Sequence, residues 1–431
     1  MLHCKNKHDF YDRLSKFFVC ALAVSIPLSK VAIDISLSFA LIFFILKKIS
    51  ERQPLAPNPL SKPIVIFLCY ALISLLWGNH LELNSRGMIK FFKDFAVFFL
   101  VVELFQERNS LKNLIHCLLA GAVITCLNGL FQYFNALDFI YSQEFGARIT
   151  STFKNPTILS TYLVCILPLP ALFLKEGNLK NNFLYLSMVV LFAMIFIFSF
   201  SRNTFFLFSL ALIFLGWFSA PFKRFTKIAF IILFIIPLLF IKLSQTHSIA
   251  QMVLNPSISP SLAERAYLWK IAKEMISDHP LAGHGINSYA AIRSNYFPPI
   301  DQMPPSFRYL HDAHPHNSYL KIWIETGLIG LLLYLSIFFV FLIFIMKVLK
   351  TAPLYQRRRL YPYMVGCFVF VVSSLFDTFL MGAPQLRMVF WLLTGLFVVE
   401  LKTLESRQCS SVFEAVPTRD AAAVPFVGLQ T

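Results

Sequence analysis

The sequence predicts an all-α integral membrane protein with about twelve transmembrane helices and one long exported loop. Three observations predict it. The 431 residues are 57% hydrophobic, with 48 Phe and only 14% charged, and their mean hydropathy of +0.67 lies outside the range of soluble globular domains. Apolar runs of helix-spanning length recur along most of the chain. Lys and Arg gather in short stretches between alternate runs. That distribution also argues against nucleic acid, because the formal net charge of +16 is not collected on one exposed basic face.

The elements follow in order. The first run, 15–28, comes after Lys5, Lys7, Arg13 and Lys16, which resembles the charged start of a signal peptide. It passes through Ser29 and Lys30 into a second run, 31–46, with no small-residue cleavage site, so it is expected to remain as the first helix. Further runs lie at 63–77, 92–106, 113–134, 158–174, 183–199, 204–219, 228–243, 326–348, 361–381 and 387–401. A helix crosses the roughly 30 Å of hydrocarbon with about 20 residues, and fewer where flanking side chains snorkel.

Basic residues set the orientation. Lys47, Lys48, Arg52 and Lys62 form one cluster, Lys223, Arg224 and Lys227 a second, and Lys347, Lys350, Arg357, Arg358 and Arg359 a third. With this set of runs all three fall on one side, which is therefore cytoplasmic and holds both termini. The opposite side receives 78–91, 135–157, the turn at Arg202 and the long loop. The resulting organisation is 1–243 for the first nine helices, 244–325 for the loop, 326–401 for the last three helices, and 402–431 for a disordered cytoplasmic tail.

Within the loop, Ser261 to Ser277 carries Leu262, Ala266, Leu268, Trp269, Ala272, Met275 and Ile276 at helical spacing. An amphipathic helix lying on the membrane or lining a cavity is expected there, ended by Pro280, Gly283 and Gly285. Pro298, Pro299, Pro304, Pro305 and Pro315 are expected to keep much of the remainder extended. Residues 80–93 form a second interfacial candidate. The eight cysteines (Cys4, Cys20, Cys69, Cys117, Cys126, Cys165, Cys367, Cys409) fall in apolar runs or on the cytoplasmic side and include no CxxC pair, which argues against disulfide scaffolding and cysteine metal sites. No convincing internal repeat is found, which weakens the case for a transporter built from inverted halves.

The sharpest string is HPHNSYLKIWIETGLIG, from His314 to Gly330, where the loop returns to the membrane. His316 at the mouth of a helix bundle is a usable base near neutral pH. Gly327 and Gly330 would allow close approach of a neighbouring helix or a lipid. The plain alternative is a surface histidine followed by small-residue packing. Arg202, in SFSRNTFFL, is either a functional charge at the membrane edge or a snorkelling anchor. Arg265 is either functional or a solvated charge paired with Glu264 or a headgroup. His311, His314 and His316 lie close together beside Asp312, but their spacing and Pro315 fit a metal site poorly.

The string resembles the pattern His-[Asn/Ser/Gln]-x9-Gly-x-x-[Gly/Thr/Tyr] of the O-antigen ligase family, with 318–326 as the nine spacers. That family belongs to a superfamily of O-antigen ligases and polymerases. The SFSRNTFFL patch and ERAYLWKIAKEMISDHPLAGHGINSY, from Glu264 to Tyr289, are similar to it as well, and the segment plan resembles the family's over most of the chain. The resemblance implies a GT-C-type glycosyltransferase of the bacterial inner membrane, acting at a periplasmic site without metal or cofactor. The implied donor is a polysaccharide on undecaprenyl diphosphate and the implied acceptor is lipid A core oligosaccharide. The implied catalytic residues are His316, Arg265 and Arg202.

Such a reaction needs a base and positive charge, not a glycosidase's pair of carboxylates, because the leaving diphosphate is already a stable anion. One charge pair at 4 Å is worth about 4 kcal/mol at an effective dielectric of 20. His314, Asn317, Arg148 and Arg308 are further candidates for substrate contact. Lys154 and Asn155 are explained nearly as well by a loop-to-helix entry, and His284 is a weaker candidate. For Asp377, helix-to-helix hydrogen bonding is expected. The rivals are an O-antigen polymerase, a protein O-oligosaccharyltransferase and a lipid-linked-sugar flippase. The flippase would need a polar path through apolar runs that look nearly free of charge away from their ends.

Overall fold

The computed structural model describes residues 2–78, 80–142, 148–174, 178–199, 201, 204–206, 208–209, 260–303 and 305–414. The regular structure among them is helical throughout. The helices are α1 (Leu2–Ser25), α2 (Lys30–Glu51), α3 (Ser61–Ile73), α4 (Leu81–Leu104), α5 (Arg108–Asn135) and α6 (Pro156–Ile166). They continue as α7 (Leu179–Phe198), α8 (Pro260–Asp278), α9 (Ser318–Thr351), α10 (Leu354–Ser373) and α11 (Pro384–Glu414). Among the described residues four stretches are long and apolar enough to cross a membrane: α5, α7, α9, and α6 continued by a 3-10 turn to Phe173. The expected runs at 204–219 and 228–243 lie almost wholly outside the described residues, and every other run falls on a helix.

Helix starts differ most from expectation. Apolarity locates the middle of a helix, whereas caps decide where it begins. The interfacial stretch 80–93 and the run 92–106 are one continuous helix, α4. Helix α9 begins at Ser318 because the Asn317 side chain accepts from the Tyr319 and Leu320 amides at 2.9 and 3.0 Å. Helix α6 begins the same way on Asn155, with Pro156 in its first turn. Helix α11 continues to Glu414, past the point where disorder is expected.

The earlier start of α9 brings Lys321 and Glu325 into the bundle, where Asp94 and Arg387 stand near the first residues of their own runs. Asp94, Lys321, Glu325 and Arg387 are buried, so the helices carry more internal charge than the apolar runs suggested. Helix α1 packs on α2 and α5, α4 on α11, α9 on α3, and α10 on α6 and α11. Phe67, Phe91, Phe95, Tyr334 and Trp391 fill the space between α3, α4, α9 and α11, with ring centres 5.0 Å apart for Phe67–Phe91 and 4.7 Å for Phe95–Trp391. Outward faces expose large apolar residues such as Ile35, Ile42, Ile45 and Ile49 on α2, a surface suited to lipid.

The bundle has two chemically distinct ends. At one, Lys48 pairs with Glu103 at 2.6 Å, Arg359 pairs with Glu400 at 2.5 Å, and Lys402 donates to the Pro57 carbonyl at 2.9 Å. Two of the three basic clusters therefore meet there, and the third lies outside the described residues. At the other end sit the starts of α4, α9 and α11 and the end of α10, under the described part of the loop.

That part of the loop is a small folded unit. Leu268, Ile271, Ala272 and Met275 of α8 are buried with Tyr289, Ile292, Phe297, Met303, Leu310 and Ile324. The apolar face of α8 is thus covered by its own loop and α9 rather than by membrane. The proline-rich stretch forms 3-10 turns at Ile300–Gln302 and Pro305–Asp312 where extended chain was expected, because a proline's fixed φ suits a tight turn as well as an extended strand.

Candidate active site

Two segments carry the site. One is the loop's return, Asp312–Asn317, and the other is the turn Ser374–Thr378 that follows α10. At the end of α10, Ser373 and Ser374 both donate their hydroxyls to the Phe370 carbonyl. Ser318 joins the two segments: its amide donates to the Ser374 carbonyl at 2.8 Å, and its hydroxyl donates to the Asp377 carbonyl at 2.8 Å.

At this junction the His316 Nδ1 lies 3.4 Å from an Asp377 carboxylate oxygen. The His316 side chain is 43% exposed, so the other face of the ring is open to an incoming group. Its backbone is left-handed, with φ at 45°, a conformation that costs a non-glycine residue about 1 to 3 kcal/mol and persists only where the surroundings impose it. Arg265 reaches the same turn from α8, its guanidinium donating to the Phe376 carbonyl at 3.2 Å. Glu264 is engaged with the Tyr309 hydroxyl, so it is not Arg265's partner.

His314 is placed differently. It packs against Tyr289, ring centres 5.4 Å apart, with its Nδ1 buried and unpartnered. Burial, then the nearby cations Lys321 and Arg293 and the imidazole of His316, push its imidazole down to about 4. It is therefore neutral at physiological pH and offers a phosphate no charge. Arg308 is exposed and donates to the Met303 and Asp301 carbonyls of its own loop. His284 bonds the Met275 carbonyl at 2.8 Å inside the loop core.

Arg202 lies outside the described residues, but its neighbours are placed. Thr204 bonds Ser160 at 2.9 Å and Ser201 at 2.8 Å, and Arg148 donates to the Ser199 carbonyl at 2.8 Å. Thr204 lines a small cavity with Thr157, Thr161, Ser373, Phe376 and Asp377. Thr204 thus borders the turn that carries Asp377. Among the described residues no three His, Cys, Asp or Glu side chains are grouped as metal ligands.

Asp377 is the functional candidate that sequence reasoning undervalued, since helix-to-helix bonding was expected of it. Nothing near residue 377 in the chain points to His316. Lys321 and Glu325 were also missed, although their spacing of four and eight from Asn317 puts them on one face of α9. Lys321 sits 3.9 Å from Glu325, and Glu325 accepts from the Asn287 amide at 2.8 Å. Lys90 donates to the Asn287 side chain at 2.7 Å, and Asp94 pairs with Arg387 at 3.2 Å. This buried network ties α4, α9 and α11 to the loop beneath the junction.

The two glycines of the string differ in role. Gly327 has φ at 68° and interrupts α9, so that Leu328 and Ile329 donate to the Pro280 and Leu281 carbonyls of the loop. It was expected to face a helix or lipid; instead it seats the loop. Gly330 fits that expectation better, since a Cβ there would stand 2.8 Å from the Tyr70 ring on α3.

Residues 187–335 match the profile of the O-antigen ligase family. A Rickettsia typhi protein with the provisional name polysaccharide ligase is 26% identical over 354 residues, 80% of each chain. A Rickettsia prowazekii protein of the same provisional name is 23% identical over 367 residues, again 80% of each chain. A Rickettsia bellii protein of that name is 36% identical over 85 residues, 19% of this chain and 20% of its own. The histidine string and the Arg202 and Arg265 patches lie inside the span, residues 187–335, that matches the O-antigen ligase family's profile.

Proposed function

We propose that the chain is an O-antigen ligase, transferring a polysaccharide from undecaprenyl diphosphate to lipid A core at the periplasmic face of a bacterial inner membrane. The observation that carries the reading is the junction itself: His316 paired with Asp377 and Arg265 gripping the same turn, at the bundle end opposite two basic clusters.

The chemistry follows from these groups. The carboxylate of Asp377 on Nδ1 would fix the tautomer of His316 and leave Nε2 free to take the acceptor hydroxyl's proton. The acceptor oxygen then attacks the anomeric carbon while the glycosyl–phosphate bond breaks on the opposite face, giving inversion. Arg265, with Arg202, holds the departing diphosphate, whose charge matches the guanidinium fork. Base, nucleophile and leaving-group clamp are then all supplied by side chains and substrates, so the proposed reaction calls on no metal or cofactor.

Reconstitution with a defined lipid-linked glycan and purified lipid A core tests this. Glycosylated core should appear with the wild type and be lost with His316→Ala. A product built only on a second lipid-linked glycan would identify a polymerase instead. Glycan moved across the bilayer with no new bond would identify a flippase.

A further inference from the structure

We propose that Trp269 is a positioning residue for His316, and that α8 acts as a two-point clasp on the His316–Asp377 pair; the proposal rests on the reading of His316 as the base. Arg265 and Trp269 are four residues apart on α8 and so share a face. Each donates to a backbone carbonyl. Arg265 donates to Phe376, the residue immediately before Asp377. The Trp269 indole N–H donates to Pro315, the residue immediately before His316, at 2.9 Å. One helix face therefore fastens both backbones that present the pair.

The backbone at His316 needs such fastening. Its left-handed φ of 45° is unfavourable unless the flanking peptides are held. On the far side Asn317 is fixed as the cap of α9. On the near side the carbonyls are held one after another by side chains of the loop: Asp312 by Arg293 at 2.8 Å, Ala313 by the Tyr289 hydroxyl at 3.1 Å, and Pro315 by Trp269. Pro315 adds its own restriction on φ but has no N–H with which to anchor itself. Of these three donors Trp269 acts on the peptide that enters His316, so its loss lets the imidazole swing from Asp377 with little change elsewhere.

Trp269 is 43% exposed, and an exposed Trp near a membrane commonly serves as an interfacial anchor through its ring. The two roles call for opposite substitutions. Trp269→Phe keeps an apolar ring and removes the N–H, whereas Trp269→Gln keeps an N–H donor and removes the ring. Both are measured, with wild type and His316→Ala, as full-length reconstituted protein using lipid-linked glycan and lipid A core.

The clasp predicts that Trp269→Phe loses about tenfold in kcat with KM within twofold, the scale of a lost hydrogen bond plus misplacement of the base. Trp269→Gln should recover much of that loss. Normal turnover in Trp269→Phe, or a Trp269→Gln defect equal to or deeper than it, overturns the clasp while a dead His316→Ala leaves the site reading intact. Full activity in His316→Ala removes the site reading and the clasp with it.

Discussion

At the scale of single residues, the two histidines of HPH have separate fates although they are two positions apart. His316 is open on one side and paired with a carboxylate, whereas His314 is buried against Tyr289 with an unpartnered nitrogen. Burial makes His314 a source of acid sensitivity. Its imidazole stays neutral in the folded protein down to about pH 4, against about 6.5 in an unfolded chain. Above 6.5 neither state binds the proton. As pH falls from about 6.5 to about 4 the unfolded state binds a proton that the folded state refuses, so stability is lost across that window and levels off below it. The loss should reach up to about 3 kcal/mol. Thermal unfolding followed at stepped pH should show a shallower decline in His314→Phe than in the wild type. Equal slopes would mean that His314 is not the group responsible. Sequence alone does not separate the two histidines by burial, because burial of His314 depends on Tyr289 and α9 folding against it.

At the scale of elements, the informative feature is the break in α9. Its apolar run could be read from the chain, but its start could not: the Asn317 cap begins the helix eight residues before the run expected at 326. The break could not, because a glycine in an apolar helix reads equally as a packing contact. Loop residues Pro280 and Leu281 decide the matter by using the α9 amides that the break releases. A Cβ on residue 327 would collide with the Leu281 carbonyl, and φ at 68° with ψ at −178° is a conformation essentially confined to glycine. Gly327→Ala should therefore destabilise the loop seat by more than about 3 kcal/mol, seen as rapid protease cleavage in the loop and loss of transfer. Gly330→Ala should be milder, because residue 330 has a helical backbone that alanine adopts, although its Cβ would crowd the Thr326 Cβ and the Tyr70 ring. If both variants behave alike, the glycines share one packing role and the break is incidental.

At the scale of the whole molecule, the positive-inside argument drawn from short basic stretches and the contacts of the folded helices divide the chain in the same way. Lys48 and Arg359 meet their acidic partners at one end, and His316 meets Asp377 at the other. Side chains did not have to meet in this pattern for the charge count to hold. The agreement comes from helices that run the length of the bundle and so keep their termini on opposite sides. Buried Lys321 and Glu325 were hidden from the sequence because α9 starts before its apolar run and draws them inward, whereas Arg387 stands at the first residue of its run, where a charge reads as lying at the membrane edge. If the bundle spans a membrane, a probe that cannot cross should separate the two ends. In a cysteine-free background, Gln302→Cys, exposed on the loop, should react with an impermeant maleimide on intact spheroplasts. Arg358→Cys, exposed in the opposite basic cluster, should react only after the membrane is permeabilised. Labelling in the reverse order would put His316 and Arg265 in the cytoplasm, where an acceptor on the outer leaflet could not reach them. Equal labelling of both sites in sealed spheroplasts would mean that the helix ends do not lie on opposite faces of the bilayer.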